Sequence, residues 1–188
     1  MNLPNKLTVL RILLIPIMVA VFYLNIIPYN FVFCAGIFVI ASLTDFLDGY
    51  IARKYNLVTD LGKFLDPIAD KVLVLSAFVI MLTNPIIFGG FGENIGAILG
   101  GVGVTIIVAR EMIVSVLRMI AASKNVVLAA EKVGKIKTLL TDVCIVVLLC
   151  GVYFEMLFYL GMALYVISVL ITVYSGIFYV VKNKGVLK

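Results

Sequence analysis

Apolar length constrains this chain before anything else does. A helix that crosses a bilayer needs about 20 largely apolar residues, and six such segments follow one another along the sequence, at 7–27, 31–52, 61–82, 95–121, 136–153 and 156–181. They take up nearly the whole of a 188-residue chain that is 64% hydrophobic and only 13% charged, too few charges to coat a water-soluble globule of this size. The expected fold class is therefore an all-α integral membrane protein with six transmembrane helices, a single domain over residues 1–188 whose solvent is the lipid bilayer. The first segment follows Lys6 and includes Arg11, which gives it the outline of a signal peptide. No small-residue cleavage pattern follows it, and the expectation is a retained span.

Charge placement sets the orientation. The connections near 28–30, 84–94 and 155 carry Glu93 and Glu155 but no lysine or arginine, whereas Lys6, Arg11, Arg53, Lys54, Lys63, Arg118, Lys124, Lys132, Lys135, Lys137, Lys182, Lys184 and Lys188 gather at the opposite ends. The positive-inside rule then puts both termini in the cytoplasm. Cys34, Cys144 and Cys150 all lie within apolar runs and read as small hydrophobic residues rather than a disulfide framework or metal knuckle. Histidine is absent, so acid–base chemistry falls to a carboxylate, a lysine or a tyrosine. The glycine-rich stretch 88–103 lacks the lysine and threonine of a phosphate-binding loop and reads as a turn entering a closely packed helix.

Against this apolar background the stretch TDFLDGYIARKYNLVTDLGKFLDPIADK, residues 44–71, stands out. On the second segment Asp45, Asp48, Gly49, Ala52 and Arg53 are spaced i, i+3, i+4, i+7 and i+8, one stripe of a helix; on the third, Gly62, Asp66 and Asp70 form another at i, i+4 and i+8. Counting about 1.5 Å per residue inward from each outer end brings Asp45 and Asp70 to the same inner-leaflet depth, roughly 20 Å in. If the two stripes meet, four carboxylates converge beside a hollow left by small residues. A single aspartate at mid-bilayer already costs roughly 2.5–3.5 kcal/mol, so a cation is required. An all-oxygen donor set favours Mg²⁺ or Mn²⁺ over zinc, and four carboxylates suit two ions bridging a phosphate-bearing substrate. The plainer alternative is an interfacial charge network with Arg53, Lys54, Lys63 and Lys71, which leaves the shared stripes and small residues unexplained. Pro67 deprives the Lys63 carbonyl of its helical donor and marks either a local distortion or a helix start.

A second basic group lies downstream. Arg110 and Glu111 fall inside the fourth segment, Arg118 is two turns further on the same face, and Lys135 and Lys137 open the fifth. An arginine inside a membrane segment is a functional candidate by default. Arg118, Lys135 and Lys137 can gather at the cytoplasmic mouth as a site for a phosphate on an acceptor. Otherwise Arg110 pairs with Glu111 or an aspartate, and the lysines are anchors reaching the interface.

Asp45, Asp48, Gly49, Ala52, Arg53, Gly62, Asp66 and Asp70 fill every position of DxxDGxxAR(x8)GxxxDxxxD, and on this motif the chain resembles the CDP-alcohol phosphotransferase family. The resemblance implies transfer of a phosphatidyl group from CDP-diacylglycerol to an alcohol with release of CMP. It implies that Asp45, Asp48, Asp66 and Asp70 hold two divalent ions and that Asp70 is the base. Gly49, Ala52, Arg53 and Gly62 would border the cytidine nucleotide. The segments PNKLTVLR, AREMIVSVLR and GKIKT resemble the branch whose acceptor is sn-glycerol 3-phosphate, which implies Arg118, Lys135 and Lys137 as acceptor-phosphate ligands. Asn5, Thr8 and Arg11 would lie near the membrane-surface entrance, with Arg110 in support. Inositol-phosphate and cardiolipin branches share the core motif. A homodimer in the inner membrane with its site open to the cytoplasm is also implied, and no nucleic acid is expected as a partner. Two readings from other classes are an ion transporter, which predicts acids staggered in depth or repeated halves, and a structural anchor, which has no use for a shared acidic stripe.

Overall fold

The computed structural model describes residues 2–24, 26–55, 59–89, 92–124, 126, 128 and 132–187, with the backbone alone at Arg53, Asp60, Leu61, Lys63, Phe64, Glu93, Lys132, Val186 and Leu187. Six long helices account for most of it: α1 (Leu3–Tyr23), α2 (Asn30–Lys54), α3 (Asp60–Leu82), α5 (Glu93–Ser123), α6 (Lys132–Gly151) and α7 (Glu155–Lys182). A one-turn α4 (Pro85–Phe88) precedes α5, a 3₁₀ turn (Lys184–Leu187) follows α7, and no strand occurs among the described residues. Each long helix overlaps one expected segment. The largest differences are at α1, which runs from Leu3 to Tyr23 with Pro4 in the first turn where its missing N–H costs no helical bond, and at the start of α6, which begins at Lys132. Among the described residues, four helices, α1, α2, α5 and α7, are long and apolar enough to cross a membrane. α3, with 23 residues, and α6, with 20, dilute their apolar runs with Asp66, Asp70 and Lys71, and with Lys135, Lys137 and Asp142.

Polarity is distributed inside out. Leu13, Ile17, Phe33, Ile40, Phe46, Ile98, Met119, Leu139, Leu170 and Ile177 are exposed on the outer surface, far more apolar area than a water-facing monomer presents. Asn5, Thr8, Arg11, Asp48, Lys137, Thr141, Ser168 and Thr172 are buried. In lipid this arrangement is stable because the outward side chains lose nothing by leaving water while polar groups find each other inside. The chain is a membrane protein.

Packing follows from the stripes. The buried residues of α1, Pro4, Asn5, Thr8, Arg11, Ile15, Met18 and Phe22, recur every three or four positions and face α2 and α3. Close approach elsewhere needs glycine. A Cβ at Gly100 would sit 2.7 Å from the Phe88 ring, one at Gly103 would overlap Tyr165, and the Tyr165 hydroxyl donates to the Gly100 carbonyl at 2.6 Å. The described part of the 88–103 stretch is thus a turn leading into a tightly packed helix, and Gly92, at φ +89°, caps it in a conformation that suits glycine. Gly161 lets α7 lie against Leu148 of α6 in the same way. Cys34, Cys144 and Cys150 are free thiols, the first two buried. Pro67 lies inside α3, two turns after an N-cap at Thr59 whose hydroxyl accepts from the Gly62 N–H at 3.0 Å.

Candidate active site

The inner stripes of α2 and α3 meet. One oxygen from each of Asp45, Asp48 and Asp66 lies within 4.8 Å of the others. Asp48 is buried with its side chain 3% exposed, whereas the Asp45 and Asp66 side chains are 42% exposed, so the group opens to the exterior on one side. Asp70, one turn further along α3, stands outside this trio and within electrostatic reach of Asp45, Arg11, Glu111 and Lys137.

Arg11 reaches the trio from α1. Its Nη1 donates to Asp45 Oδ1 at 2.5 Å and more weakly to Asp66 Oδ1 at 3.5 Å; its Nη2 donates to Asp48 Oδ2 at 2.6 Å; its Nε points to Thr44 Oγ1 at 3.4 Å. Thr8 Oγ1 donates to Asp48 Oδ2 at 3.3 Å. Arg11 is completely buried beneath the half-exposed Asp45 and Asp66. Asn5 sits at the α1–α3 junction, where its Oδ1 accepts from Thr59 Oγ1 at 3.0 Å. A Cβ at Gly62 would come 2.9 Å from that Asn5 oxygen, so the space spared at Gly62 is used at least partly by the protein's own packing. Gly49 and Ala52 are half-buried on the α2 stripe, and the Arg53 side chain lies outside the described residues.

The trio suits a hard divalent cation. Among the described residues, the three carboxylates share one guanidinium as ion-pair partner, which leaves two negative charges for other cations to balance. Asp48 Oδ1 is buried without a hydrogen-bond partner among the described residues, and such an acceptor costs about 1–3 kcal/mol if it stays unsatisfied. All donors are oxygens, the set that Mg²⁺ and Mn²⁺ prefer.

Beyond Asp70 two cavities share a wall. The larger, of about 670 Å³, is lined by Asp70, Lys71, Arg110, Glu111, Arg118, Gly134, Lys135 and Thr138 among others. Of the three residues expected to hold a phosphate, Arg118 and Lys135 meet there. The Arg118 guanidinium lies 5.6 Å over the Tyr179 ring, and its Nε donates to the Tyr179 hydroxyl at 3.2 Å, which fixes its direction. Lys137 instead lines a smaller cavity of about 60 Å³ with Asp70, Thr141 and Asp142. It is buried, and its Nζ donates to Glu111 Oε1 at 2.5 Å. The same oxygen accepts from Arg110 Nη1 at 2.9 Å, so Glu111 binds two cations at once.

The sequence offers Glu111 as a partner for Arg110, and that pair forms, but it gives no sign of the second partner, Lys137, 26 positions away. Asp142, half-buried beside Ser42 and within reach of Asp70 and Lys137, was marked only by being a carboxylate in an apolar run.

Comparison with known proteins agrees with the geometry. The family model for CDP-alcohol phosphatidyltransferase matches residues 1–174. The chain is 39% identical over 181 residues to a CDP-diacylglycerol–glycerol-3-phosphate 3-phosphatidyltransferase of Rickettsia bellii, covering 95% of this chain and 93% of that protein. It is 38% identical over 201 residues to the protein of that name from Bacillus subtilis, covering 100% and 97%, and 35% identical over 190 residues to that of Salmonella typhimurium, covering 98% and 96%.

Proposed function

The chain belongs to the CDP-alcohol phosphatidyltransferase family, and from that premise we infer how it works: it transfers the phosphatidyl group of CDP-diacylglycerol to sn-glycerol 3-phosphate, giving phosphatidylglycerophosphate and CMP. The observation that carries this reading is the juxtaposition of the Asp45–Asp48–Asp66 trio with Asp70, which in turn faces a cavity lined by Arg118 and Lys135. Donor and acceptor can each find a polar site while acyl chains stay in the surrounding lipid.

Asp45, Asp48 and Asp66 would hold the divalent metal, Mg²⁺ or Mn²⁺, and Asp70 would complete a site for two ions. When bound, the metal neutralises the diphosphate and stabilises the charge that develops during in-line displacement. Gly49, Ala52, Arg53 and Gly62 border the cytidine nucleotide. Arg118 and Lys135 hold the acceptor phosphate, with the Arg118 fork set by Tyr179. Lys137, tied to Glu111, stabilises the wall behind Asp70 and adds positive potential to the phosphate site. Asp70 takes the proton of the acceptor hydroxyl as its oxygen attacks the phosphatidyl phosphorus; the bond from that phosphorus to the CMP oxygen breaks and CMP leaves with the pair.

Six crossings with both termini in the cytoplasm fit the even number of long helices and the basic residues at one set of helix ends. The water-soluble acceptor then arrives from the cytoplasm at a site in the inner membrane, and the protein works as a homodimer. The test is CMP release by purified protein given CDP-diacylglycerol and Mg²⁺ or Mn²⁺ with glycerol 3-phosphate, inositol phosphate, serine or phosphatidylglycerol in turn. Release with glycerol 3-phosphate alone is expected; release only with another acceptor overturns the acceptor assignment.

A further inference from the structure

Arg11 has the largest of the completely buried side chains among the described residues, and it sits where three helices meet. From α1 it contacts Asp45 and Asp48 of α2 and Asp66 of α3, with Thr44 taking the remaining direction of the fork. A guanidinium sealed in an apolar bundle is untenable alone, and so are three carboxylates with oxygens within 4.8 Å of one another. Each makes the other tolerable. The grip is also selective: on Asp48 the guanidinium and Thr8 both take Oδ2, while Oδ1 is left buried and without a partner among the described residues.

We propose that Arg11 is the site's resident counter-cation, a positioning residue that keeps the three carboxylates assembled before the divalent ion arrives and weakens the hold on that ion once it is bound. The proposal rests on the reading that the trio binds a divalent metal. Two physical effects define it. In the metal-free protein the guanidinium supplies part of the positive charge that the acids need, so the α1–α2–α3 junction does not depend on the ion. In the loaded protein the same charge repels the ion through a poorly screening interior, which keeps the site exchangeable. A planar fork with donors along three directions suits this task, whereas a lysine ammonium is a point charge that cannot bridge the same set.

The experiment compares the parent, Arg11→Gln and the double variant Arg11→Gln/Asp66→Asn as full-length protein in detergent. Thermal unfolding is read in EDTA and in saturating Mn²⁺, and Mn²⁺ binding is titrated by electron paramagnetic resonance. The expected result is that Arg11→Gln unfolds well below the parent in EDTA and that Mn²⁺ closes most of the gap. Its Mn²⁺ affinity should be at least about tenfold tighter than the parent's, because a repelling charge has gone. The double variant, with one carboxylate fewer to balance, should unfold higher in EDTA than Arg11→Gln; it also keeps the idea testable if the single variant does not fold. An EDTA-to-Mn²⁺ shift in Arg11→Gln equal to the parent's, a weaker Mn²⁺ affinity, or a double variant no more stable in EDTA than the single one overturns the proposal. Failure of the parent itself to bind Mn²⁺ would instead overturn the underlying metal-site reading.

Discussion

Replacing Glu111 by glutamine keeps the shape of the side chain and removes its charge, which isolates what that charge does. One oxygen of Glu111 accepts from Lys137 Nζ at 2.5 Å and from Arg110 Nη1 at 2.9 Å, and the Lys137 side chain is only 5% exposed. A glutamine carbonyl in the place of that oxygen can still accept both N–H groups, but it carries no charge and neither cation is neutralised. Breaking a buried ion pair by removing one partner costs about 3–5 kcal/mol. Glu111 itself is 27% exposed, so solvent screens part of the interaction and the lower end applies, about 2–3 kcal/mol. For a chain of this length that is a fall in Tm of roughly 5–10 °C, measurable by thermal unfolding in detergent. Adding Lys137→Met removes the stranded ammonium, so the double variant should melt above Glu111→Gln alone. A single variant within roughly 1 °C of the parent, or a double variant below the single one, would refute the claim that Glu111 neutralises two interior cations.

Other substitutions separate the remaining roles. Asp70→Asn should lower kcat by about 10²–10⁴-fold with little change in Tm, since it removes a proton acceptor while preserving shape; CMP release and unfolding measured together check this. Arg118→Ala should raise the acceptor KM roughly tenfold or more, the equivalent of one charged hydrogen bond of about 1.5–3 kcal/mol, while the KM for CDP-diacylglycerol stays unchanged. Gly100→Ala pushes a methyl against the Phe88 ring and should cost about 1–3 kcal/mol in unfolding experiments, with Phe88→Leu partly relieving it.

Much of the site was legible because helix period and charge cost are both local properties. The stripes at Asp45, Asp48, Asp66 and Asp70 follow from 3.6 residues per turn, and the need for a cation follows from the price of ionised groups in lipid. Arg11 shows what was hidden. Its spacing from Thr8 and Asn5 marks a polar face on α1, but only the packing of α1 against both α2 and α3 turns that face into the floor of the acidic trio. Lys137 shares a sequence cluster with Lys135 and, by the resemblance, a role at the acceptor phosphate; nothing in that cluster points to Glu111 of α5, whose carboxylate accepts from it at 2.5 Å. Sequence neighbours reveal faces, whereas the choice of partner between faces depends on how three helices cross.

The reach of Arg11 from the first helix to the second also bears on how the protein is made. Emerging alone, α1 would bring an unpaired cation into lipid; the connection to α2 is only the stretch 24–29, so Asp45 and Asp48 follow almost at once. The two are best delivered to the bilayer together as a hairpin whose opposite charges cancel on entry, with α3 adding Asp66 afterwards. Order of synthesis and charge balance thus run in the same direction, and a chain halted after α1 would be the least able to stay in the membrane.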